Sequence, residues 1–453
     1  MSFFKYPEYK RTDLKWLGGI PHDWNLVKLK HLFSLVKRPV RPGDEIVTCF
    51  RDGTVTLRSK KRTEGFTNAV QEIGYQGIRA GDLVIHAMDA FAGAVGVSDS
   101  DGKSSPVYST CVPISNDIAL PEYYGQLLRS MALSGFVTSL AKGIRERSTD
   151  FRWADAGEVF LPAPSKTEQT KIARFLNHET AKIDTLIHEQ KRLIELLKEK
   201  RQAVISHAVT KGLDPDVPMK DSGVEWLGEV PAHWACMSFR YATRILRGKF
   251  GHRPRNDPAL YDGAYPFIQT GDVARAEKYI SEFKQTLNEK GAAVSASFPS
   301  GTLVMAIAAN IGDTAILGFE AYAPDSVVGF QPRQDITLEF LKYSLDSSIQ
   351  ELEKTSTQST QANLNIDRVG GVKGVFPPED EQTKIVSFLD KMCEQFSILE
   401  KQATKSIALM VERRSALISA AVTGKIDVRD WQPPADESAF DEEVQQAGME
   451  AEA

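Results

Sequence analysis

The stretch that decides the fold is "EQTKIARFLNHETAKIDTLIHEQKRLIELLKEKRQAVISHAVTKG", residues 168–212. A second stretch, "EQTKIVSFLDKMCEQFSILEKQATKSIALMVERRSALISAAVTGK", occupies residues 381–425 and aligns with the first without a gap. Neither contains proline, and each reaches a glycine at its end, Gly212 or Gly424, which is a helix stop signal. Both are therefore predicted to be helices several times longer than the globular mean of about 11–12 residues.

Apolar residues in both stretches recur at spacings of three, four or seven, which predicts a coiled coil. We expect the two helices to pair with each other, antiparallel; the alternative is that each packs only on its own domain. Polar positions in the seams are expected to fix the register or to bind another chain. The predicted pairing residues are Ile172, Leu176, Ile183, Leu186, Leu193, Leu197 and Val204 in the first helix, and Ile385, Leu389, Phe396, Leu399, Met410 and Leu417 in the second.

A second repeat shows that the whole chain is duplicated. "KWLGGIPHDW" at residues 15–24 returns as "EWLGEVPAHW" at residues 225–234, at nearly the same offset as the helices. The segments between these repeats differ, but "GDLVIHAMDAFAGAVGVS" and "GTLVMAIAANIGDTAILG" each predict two strands joined by a glycine turn. The fold class is therefore α+β, with two variable α+β domains separated by two long helices that form an antiparallel coiled coil. Duplication implies an internal pseudo-twofold.

This organisation divides the chain into five segments. We expect a first variable domain at 1–160, the first helix at 161–213, a linker and second domain at 214–375, the second helix at 376–430 and an acidic tail at 431–453. The tail after residue 434 carries seven acidic residues and no Lys or Arg, and is predicted to be disordered. Without it, the net charge of −5 becomes +2, so total charge does not exclude a nucleic-acid partner.

Enzymatic motifs are missing from the sequence. There is no G-x-x-x-x-G-K-[ST] phosphate loop, no H-E-x-x-H and no Asn-Pro-Pro-aromatic tetrapeptide, while "FAGAVG" at residues 91–96 fits a strand turn better than a nucleotide loop. The four cysteines have no C-x-x-C spacing, which favours free thiols in a cytoplasmic protein over disulfides or zinc. Neither a signal peptide nor a membrane span is predicted. We expect a chain without catalysis, metal or cofactor of its own.

Basic and amide side chains cluster in the variable domains. Lys and Arg neutralise phosphates and read guanine, whereas Gln and Asn suit adenine. The alternative is an ordinary solvated surface. The candidate DNA-binding residues are Lys37, Arg38, Arg41, Arg51, Arg58, Lys60, Lys61, Arg62, Arg145, Arg147 and Arg152 in the first domain, and Arg247, Lys249, Arg253, Arg255, Gln269, Thr270, Gln358, Gln361 and Asn363 in the second.

These motifs together resemble a known family. "WLG" followed by "P..W" opens each half, "EQTKI..FL" opens each helix and "AVT" closes it, while "PFIQTGDV" and "STQSTQANLN" are similar to target-recognition motifs. Over almost its full length the chain resembles the specificity subunits of type I restriction–modification systems. Single motifs are modestly specific, but their paired occurrence is highly specific.

The resemblance implies a function and a set of partners. Two target recognition domains would each read one half of an asymmetric, bipartite sequence in double-stranded DNA, with the helices as a ruler between them. Two modification subunits, adenine methyltransferases that bind S-adenosylmethionine, and restriction subunits that use ATP and Mg would dock on the chain. The alternative function is a non-catalytic coiled-coil scaffold that binds proteins.

Overall fold

The computed structural model describes residues 4–62, 72–140, 151–308, 311–356 and 366–433. The chain divides into two compact units, one containing residues 1–190 and 405–453, the other residues 191–404. Each unit therefore combines one variable domain with part of each long helix. No helix within the described ranges is both long enough and apolar enough to cross a membrane.

The two predicted long helices are present, at Lys166–Lys211 and Glu379–Val422. Each ends at a glycine in the left-handed region, Gly212 at φ +82° and Gly424 at φ +72°. A side chain at either glycine would also contact the repeated phrase of residues 15–24 or 225–234. A Cβ on Gly424 would lie 2.5 Å from Pro21, and one on Gly212 would lie 3.3 Å from Trp234. The repeated phrase therefore covers the end of a long helix in each unit.

In the first unit the helix segments run antiparallel. Asp184 on the first helix forms an ion pair with Arg414 on the second at 2.9 Å. Nine residues earlier, the ring of Phe175 lies 5.4 Å from that of Trp431, which follows the second helix. Earlier residues of the first segment thus contact later residues of the second, so the two segments are antiparallel, as predicted.

The second unit contains the same antiparallel arrangement. Trp234, which packs on Gly212 at the end of the first helix, donates from its indole Nε1 to Glu381, 2.9 Å away, at the start of the second. Further along, Ile205 shares a buried apolar cluster with Ile385 and Leu389. The end of one helix therefore meets the beginning of the other.

The seam prediction was wrong at three leucines. Leu186, Leu193 and Leu399 are 51%, 42% and 46% exposed. The first helix instead turns Ile187 and Ile194 inward, one residue further on. Because both members of each apolar pair fit the period, the sequence alone did not distinguish them.

The other predicted seam positions are at least half-buried. Leu197, Val204 and Met410 are of intermediate burial. The fully buried members are Ile172, Leu176, Ile183, Ile385, Leu389, Phe396 and Leu417.

The first variable domain is built on an antiparallel sheet with the strand order Phe33–Leu35, Tyr108–Pro113, Leu83–His86, Val95–Val97. Its last two strands are the predicted strand–turn–strand. The remaining strands pair as Tyr9–Arg11 with Gly19–Pro21, Asn25–Lys28 with Phe160–Ala163, Val47–Cys49 with Val55–Leu57, and Gln76–Ile78 with Gly102–Ser104. The helices are Arg58–Lys61, Pro121–Leu133, Phe136–Ser139 and Trp153–Ala156, with 3-10 turns at Leu29–His31 and Ala90–Ala92.

The second variable domain repeats this framework and adds a second sheet. Its main sheet has the order Thr243–Arg247, Val327–Pro332, Leu303–Ala306, Thr314–Leu317, Tyr279–Ile280. The added sheet has the order Gln285–Leu287, Tyr261–Phe267, Ala321–Ala323, Ala296–Phe298. Met219–Asp221 pairs with Glu229–Pro231, and Ala235–Ser238 with Lys373–Phe376. The helices are Phe239–Ala242, Thr270–Arg275, Glu289–Ala293, Leu338–Ser347, Ile349–Ser356 and Ile366–Gly371, with a 3-10 turn at Pro258–Leu260.

A buried glutamine joins the first long helix to its domain and explains part of the repeated "EQTKI". Gln169 has no exposed surface. Its Oε1 accepts from the amide of Leu120 at 2.8 Å, and its Nε2 donates to the carbonyls of Ile118 and Pro164, both at 2.9 Å. Leu120 is the cap of the helix Pro121–Leu133, so this amide fixes where the domain helix begins.

Gln382 makes the same three bonds in the second unit. It accepts from the amide of Thr337 at 2.8 Å and donates to the carbonyls of Asp335 and Pro377 at 2.9 and 2.8 Å. Thr337 caps the helix Leu338–Ser347 and therefore corresponds to Leu120. The duplication thus preserves individual hydrogen bonds.

Candidate nucleic-acid interface

Arg38 is the candidate of the first domain that is held most firmly. Its guanidinium forms two hydrogen bonds with Asp82, one of them at 3.1 Å, and the Asp82 side chain is only 5% exposed. Asp82 also accepts from the amide of Arg79 at 2.7 Å. Bidentate pairs of this kind are geometrically specific. Arg38 is thus bound to the turn that precedes the strand Leu83–His86, and a contact with DNA would require breaking its pair with Asp82.

Other basic residues of the first domain are far more exposed. Arg41 pairs with Asp101 at 3.3 Å and Arg51 with Asp89 at 2.9 Å, and their side chains are 63% and 67% exposed. Exposed pairs contribute about 0–1 kcal/mol each, so a phosphate can replace the carboxylate at little cost. Lys37 is exposed as well. These three cations are available to a polyanion.

The short helix Arg58–Lys61 carries the next group of cations. Arg58 donates from Nε to Thr48 at 2.9 Å, and Lys60 donates to Ser100 at 3.2 Å. Lys61 bonds Asp52 and lies 4.7 Å from the centre of the Phe50 ring. Arg62, which follows the helix, is exposed. The helix therefore concentrates positive charge on one turn.

In the second domain, Arg253 and Arg255 converge on one carboxylate. Both oxygens of Asp325 lie 2.7 Å from Nη2 of Arg255, and one lies 3.8 Å from Arg253. Roughly half of each arginine side chain is exposed. Arg247 and Lys249 are exposed nearby in sequence.

A cleft of about 400 Å³ brings three of the second-domain candidates together. Arg255, Gln269 and Thr270 all line it. Gln269 also caps the helix Thr270–Arg275: its side chain accepts from the backbone of Asp272, whose carboxylate accepts from the Gln269 amide at 2.8 Å. Thr270 is the first residue of that helix. The cap fixes the backbone from which both side chains reach the cleft.

Side chains that the sequence patterns did not indicate complete this cleft. Gln285 accepts from the Nε2 of Gln269, so two amides stand side by side. Asn256 and the rings of Phe250, Tyr261 and Phe267 also line the cleft. Gln285 lies in a strand of the added sheet, and its approach to Gln269 depends on tertiary pairing rather than on sequence spacing. The cleft thus offers amide, guanidinium and aromatic groups together.

Arg145, Arg147, Gln358, Gln361 and Asn363 lie outside the described residues, and so does the acidic tail from residue 434. Arg152 is exposed at the start of the helix Trp153–Ala156.

Within the part of the chain that the structure describes, no group of three or more His, Cys, Asp or Glu could hold a metal ion. All four cysteines are unpaired. Burial raises the pKa of the Cys49 and Cys111 thiols far above its usual range. These thiols are packing groups rather than nucleophiles.

Comparison with known proteins gives a consistent result. Residues 249–409 match the family described as the type I restriction modification DNA specificity domain. A match of 317 residues, 20% identical, links the chain to the type I restriction enzyme StySPI specificity subunit of Salmonella potsdam. That match covers 68% of this chain and 65% of the relative's length.

Residues 249–409 thus match a type I specificity domain, and the chain is similar to type I specificity subunits.

Two solved structures share the fold of this chain. One is a chain from work on complex assembly and conformational transition of the type I R-M system, with a TM-score of 0.68 and 14% identity, covering 89% of this chain and 98% of that one. The other is the HsdS subunit from Thermoanaerobacter tengcongensis, with a TM-score of 0.52 and 16% identity, covering 92% of this chain and 100% of that one. At this identity the likeness concerns the fold alone.

Proposed function

We propose that this chain is the DNA sequence-recognition subunit of a type I restriction–modification complex. Each variable domain reads one half of a bipartite target. The halves differ because the domains differ: the first presents exposed cations on and beside a short helix, the second a cleft of amides and aromatic rings. The target is therefore asymmetric.

The observation that carries this proposal is the cleft of the second domain. A glutamine amide can donate to N7 and accept from N6 of adenine in a bidentate contact, and an arginine guanidinium can donate to N7 and O6 of guanine. Gln269, Gln285 and Arg255 supply both chemistries in one cleft, and Tyr261 adds a ring against which a base can pack. A general protein-binding surface does not need this combination.

Partner subunits supply the chemistry in this proposal. Adenine methyltransferase subunits would carry S-adenosylmethionine, and restriction subunits ATP and Mg, while this chain holds no cofactor. The long helices expose Leu193, Leu196, Ile398 and Leu399 in the second unit. Large exposed apolar groups on a helix pair suit docking by another chain. Leu186, Leu409 and Val411 offer an equivalent surface in the first unit.

The experiment is enrichment of random DNA duplexes by the chain with its methyltransferase partner. The proposal predicts one enriched motif with two defined halves and an undefined spacer. Enrichment without any motif would favour the protein-binding scaffold instead. Arg255→Ala should weaken selection in one half only, because its side chain belongs to a single domain. Gln395→Ala, at an exposed position on the second long helix, serves as the control.

A further inference from the structure

A further cleft lies in the first unit, and its charged lining residues are two arginines and the two acids Asp52 and Glu122. It measures about 260 Å³ and lies between the strand Val95–Val97, the helix Pro121–Leu133 and segments of both long helices. Two guanidinium groups line it, those of Arg129 and Arg414. The proposed reading of DNA does not use either of them.

Arg129 is fixed in place, and no carboxylate of the described residues bonds to it, although the charge of Asp52 partly offsets its own. A Cβ on Gly53 would lie 2.6 Å from its Cδ, so the side chain packs directly on that backbone. Its Nε is buried and has no hydrogen-bond partner among the described residues, and its Nη2 donates weakly to the Arg51 carbonyl at 3.4 Å. Burial, and after it the charge of Arg414, lowers the pKa of Arg129. Burying a cation without a partner is costly.

The corresponding cleft of the second unit has carboxylates at positions where the first-unit cleft has none. By the alignment of the repeats, Asn177 and Arg414 of the first unit correspond to Asp390 and Arg201 of the second. Since Leu120 corresponds to Thr337, Arg129 corresponds to Asp346. This cleft of the second unit, about 350 Å³ in volume and distinct from the one lined by Gln269, contains two carboxylates. The cleft of the first unit has an amide and a guanidinium in their places.

Those carboxylates are fully used in the second unit. Asp346 accepts from Lys342 at 2.7 Å and from Thr314, and Asp390 accepts from Lys278 at 2.7 Å. In the first unit, Asp184 compensates Arg414 at 2.9 Å. Of the acids that line the first cleft, Asp52 is already bonded to Lys61, and Glu122 is exposed on the first turn of its helix. Arg129 therefore lacks the anion that the repeat would place beside it.

The acidic C-terminal residues follow a part of the chain that packs close to this cleft. Trp431 packs on Phe175 and His178, with ring centroids 5.4 and 5.3 Å apart, and Asn177 lines the cleft. Residues 435–453 follow and contain seven acidic residues without a single Lys or Arg. A chain of this length can extend by roughly 60 Å, at about 3.3 Å per residue. It reaches the cleft easily.

We propose that carboxylates of residues 435–453 bind in this cleft at Arg129 and Arg414. A recess of this volume admits a carboxylate side chain but not a DNA duplex. Charge-assisted bonds from guanidinium to carboxylate are the strong class of hydrogen bond. The same segment of the first domain, residues 51–62, supplies both Gly53 to the cleft and the cations Arg58 to Lys61 to the surface. The tail thus screens the basic face of the first domain.

Arginine labelling with phenylglyoxal, read by peptide mass spectrometry, tests this on the full chain without DNA. A tethered segment has an effective local concentration in the mM range. With an effective concentration of about 3 mM and a dissociation constant of about 1 mM, the cleft is occupied about three-quarters of the time. Arg129 should then react about fourfold faster when the seven acids are changed to their amides. Arg201, in the second unit, should react at the same rate in both chains.

A chain that ends at Pro433 should show the same increase as the amide variant, and the protection of the natural chain should vanish in 1 M NaCl, where the Debye length is about 3 Å. Equal Arg129 labelling in all three chains overturns the proposal. A tail peptide of residues 435–453, labelled with a fluorophore, should bind the shortened chain, and Arg129→Gln should abolish that binding. Binding that survives this substitution also overturns it. DNA recognition could fail independently of either result.

Discussion

The junction between long helix and variable domain is built twice, and the two copies agree in one residue and disagree in others. Gln169 and Gln382 make the same three hydrogen bonds with no exposed surface. Nine residues after Leu120, Arg129 stands where Asp346 stands in the other copy. Groups that determine where a helix begins are kept, whereas groups that only line a cleft can change sign. The fold thus tolerates divergence wherever backbone bonds do not depend on it.

The largest effect is expected from removing the shared amide. Gln169→Leu keeps the side-chain volume but leaves the Leu120 amide and two carbonyls without partners. Each unsatisfied buried group costs about 1–3 kcal/mol, so we expect a loss of about 3–6 kcal/mol in the first unit. Native-state hydrogen exchange of the helix Pro121–Leu133 should rise at least about a hundredfold, since about 1.4 kcal/mol corresponds to a factor of ten.

Gln382→Leu should do the same to the second unit, and each variant should leave the other unit's core unchanged. Thr167→Ala and Lys384→Ala, at exposed positions of the same helix turns, are the controls. If Gln169→Leu and Gln382→Leu raised exchange no more than these controls, the amide would not be what fixes the junction.

Substitutions of the two corresponding cleft residues should change the free energy of unfolding in different directions. Asp346→Ala leaves Lys342, whose side chain is 9% exposed, without its carboxylate. Removing one partner of a buried pair is destabilising, and with partial exposure we expect about 2–3 kcal/mol. In a chain that ends at Pro433, Arg129→Gln removes a cation to which no carboxylate of the described residues bonds, and it should be neutral or stabilising in urea unfolding. The comparison fails if both substitutions destabilise equally.

The next effect concerns binding rather than stability. Gln285→Ala removes one amide from the second-domain cleft without touching the helix cap that Gln269 provides. A bidentate base contact is worth about 1–3 kcal/mol, so binding of the natural target should fall about tenfold to a hundredfold. Targets altered at that base should be bound equally by both proteins. A uniform loss across all sequences would mean that Gln285 contributes only to packing.

The smallest effect is a pH dependence confined to the first unit. Burial lowers the pKa of His86; Asp89 opposes this shift and Arg51 adds to it. Its Nδ1 accepts from the amide of Asp89 at 3.0 Å, and its ring packs on Tyr108. The unfolded chain binds the proton first, so stability is complete above the ordinary histidine pKa of about 6.5 and decreases as pH falls through the lower folded value.

Ala306 occupies the equivalent strand position in the second domain, which should not show this dependence. Chemical denaturation of His86→Gln at pH 7 and pH 5 provides the check. The substituted chain should lose the pH difference in the first unit. A difference that remains must come from another group.

The sequence predicted the architecture well because the duplication repeats long, periodic signals. Two helices, their antiparallel pairing and the strand–turn–strand at "GDLVIHAMDAFAGAVGVS" all follow from period and repetition. It did not distinguish Leu186 from Ile187, because adjacent apolar residues fit the same stripe. Nor did it show that Arg38 pairs with Asp82, or that Gln269 meets Gln285. Those contacts join distant strands, and charge or amide content alone does not specify a partner.

The most direct test of the central claim is to replace residues 25–160 with those of a relative and to sequence methylated adenines in DNA from cells that also express the methyltransferase. Since one domain reads one half of the target, the account predicts that one half of the methylated motif changes and the other is retained. A motif that changes in both halves, or in neither, would contradict it.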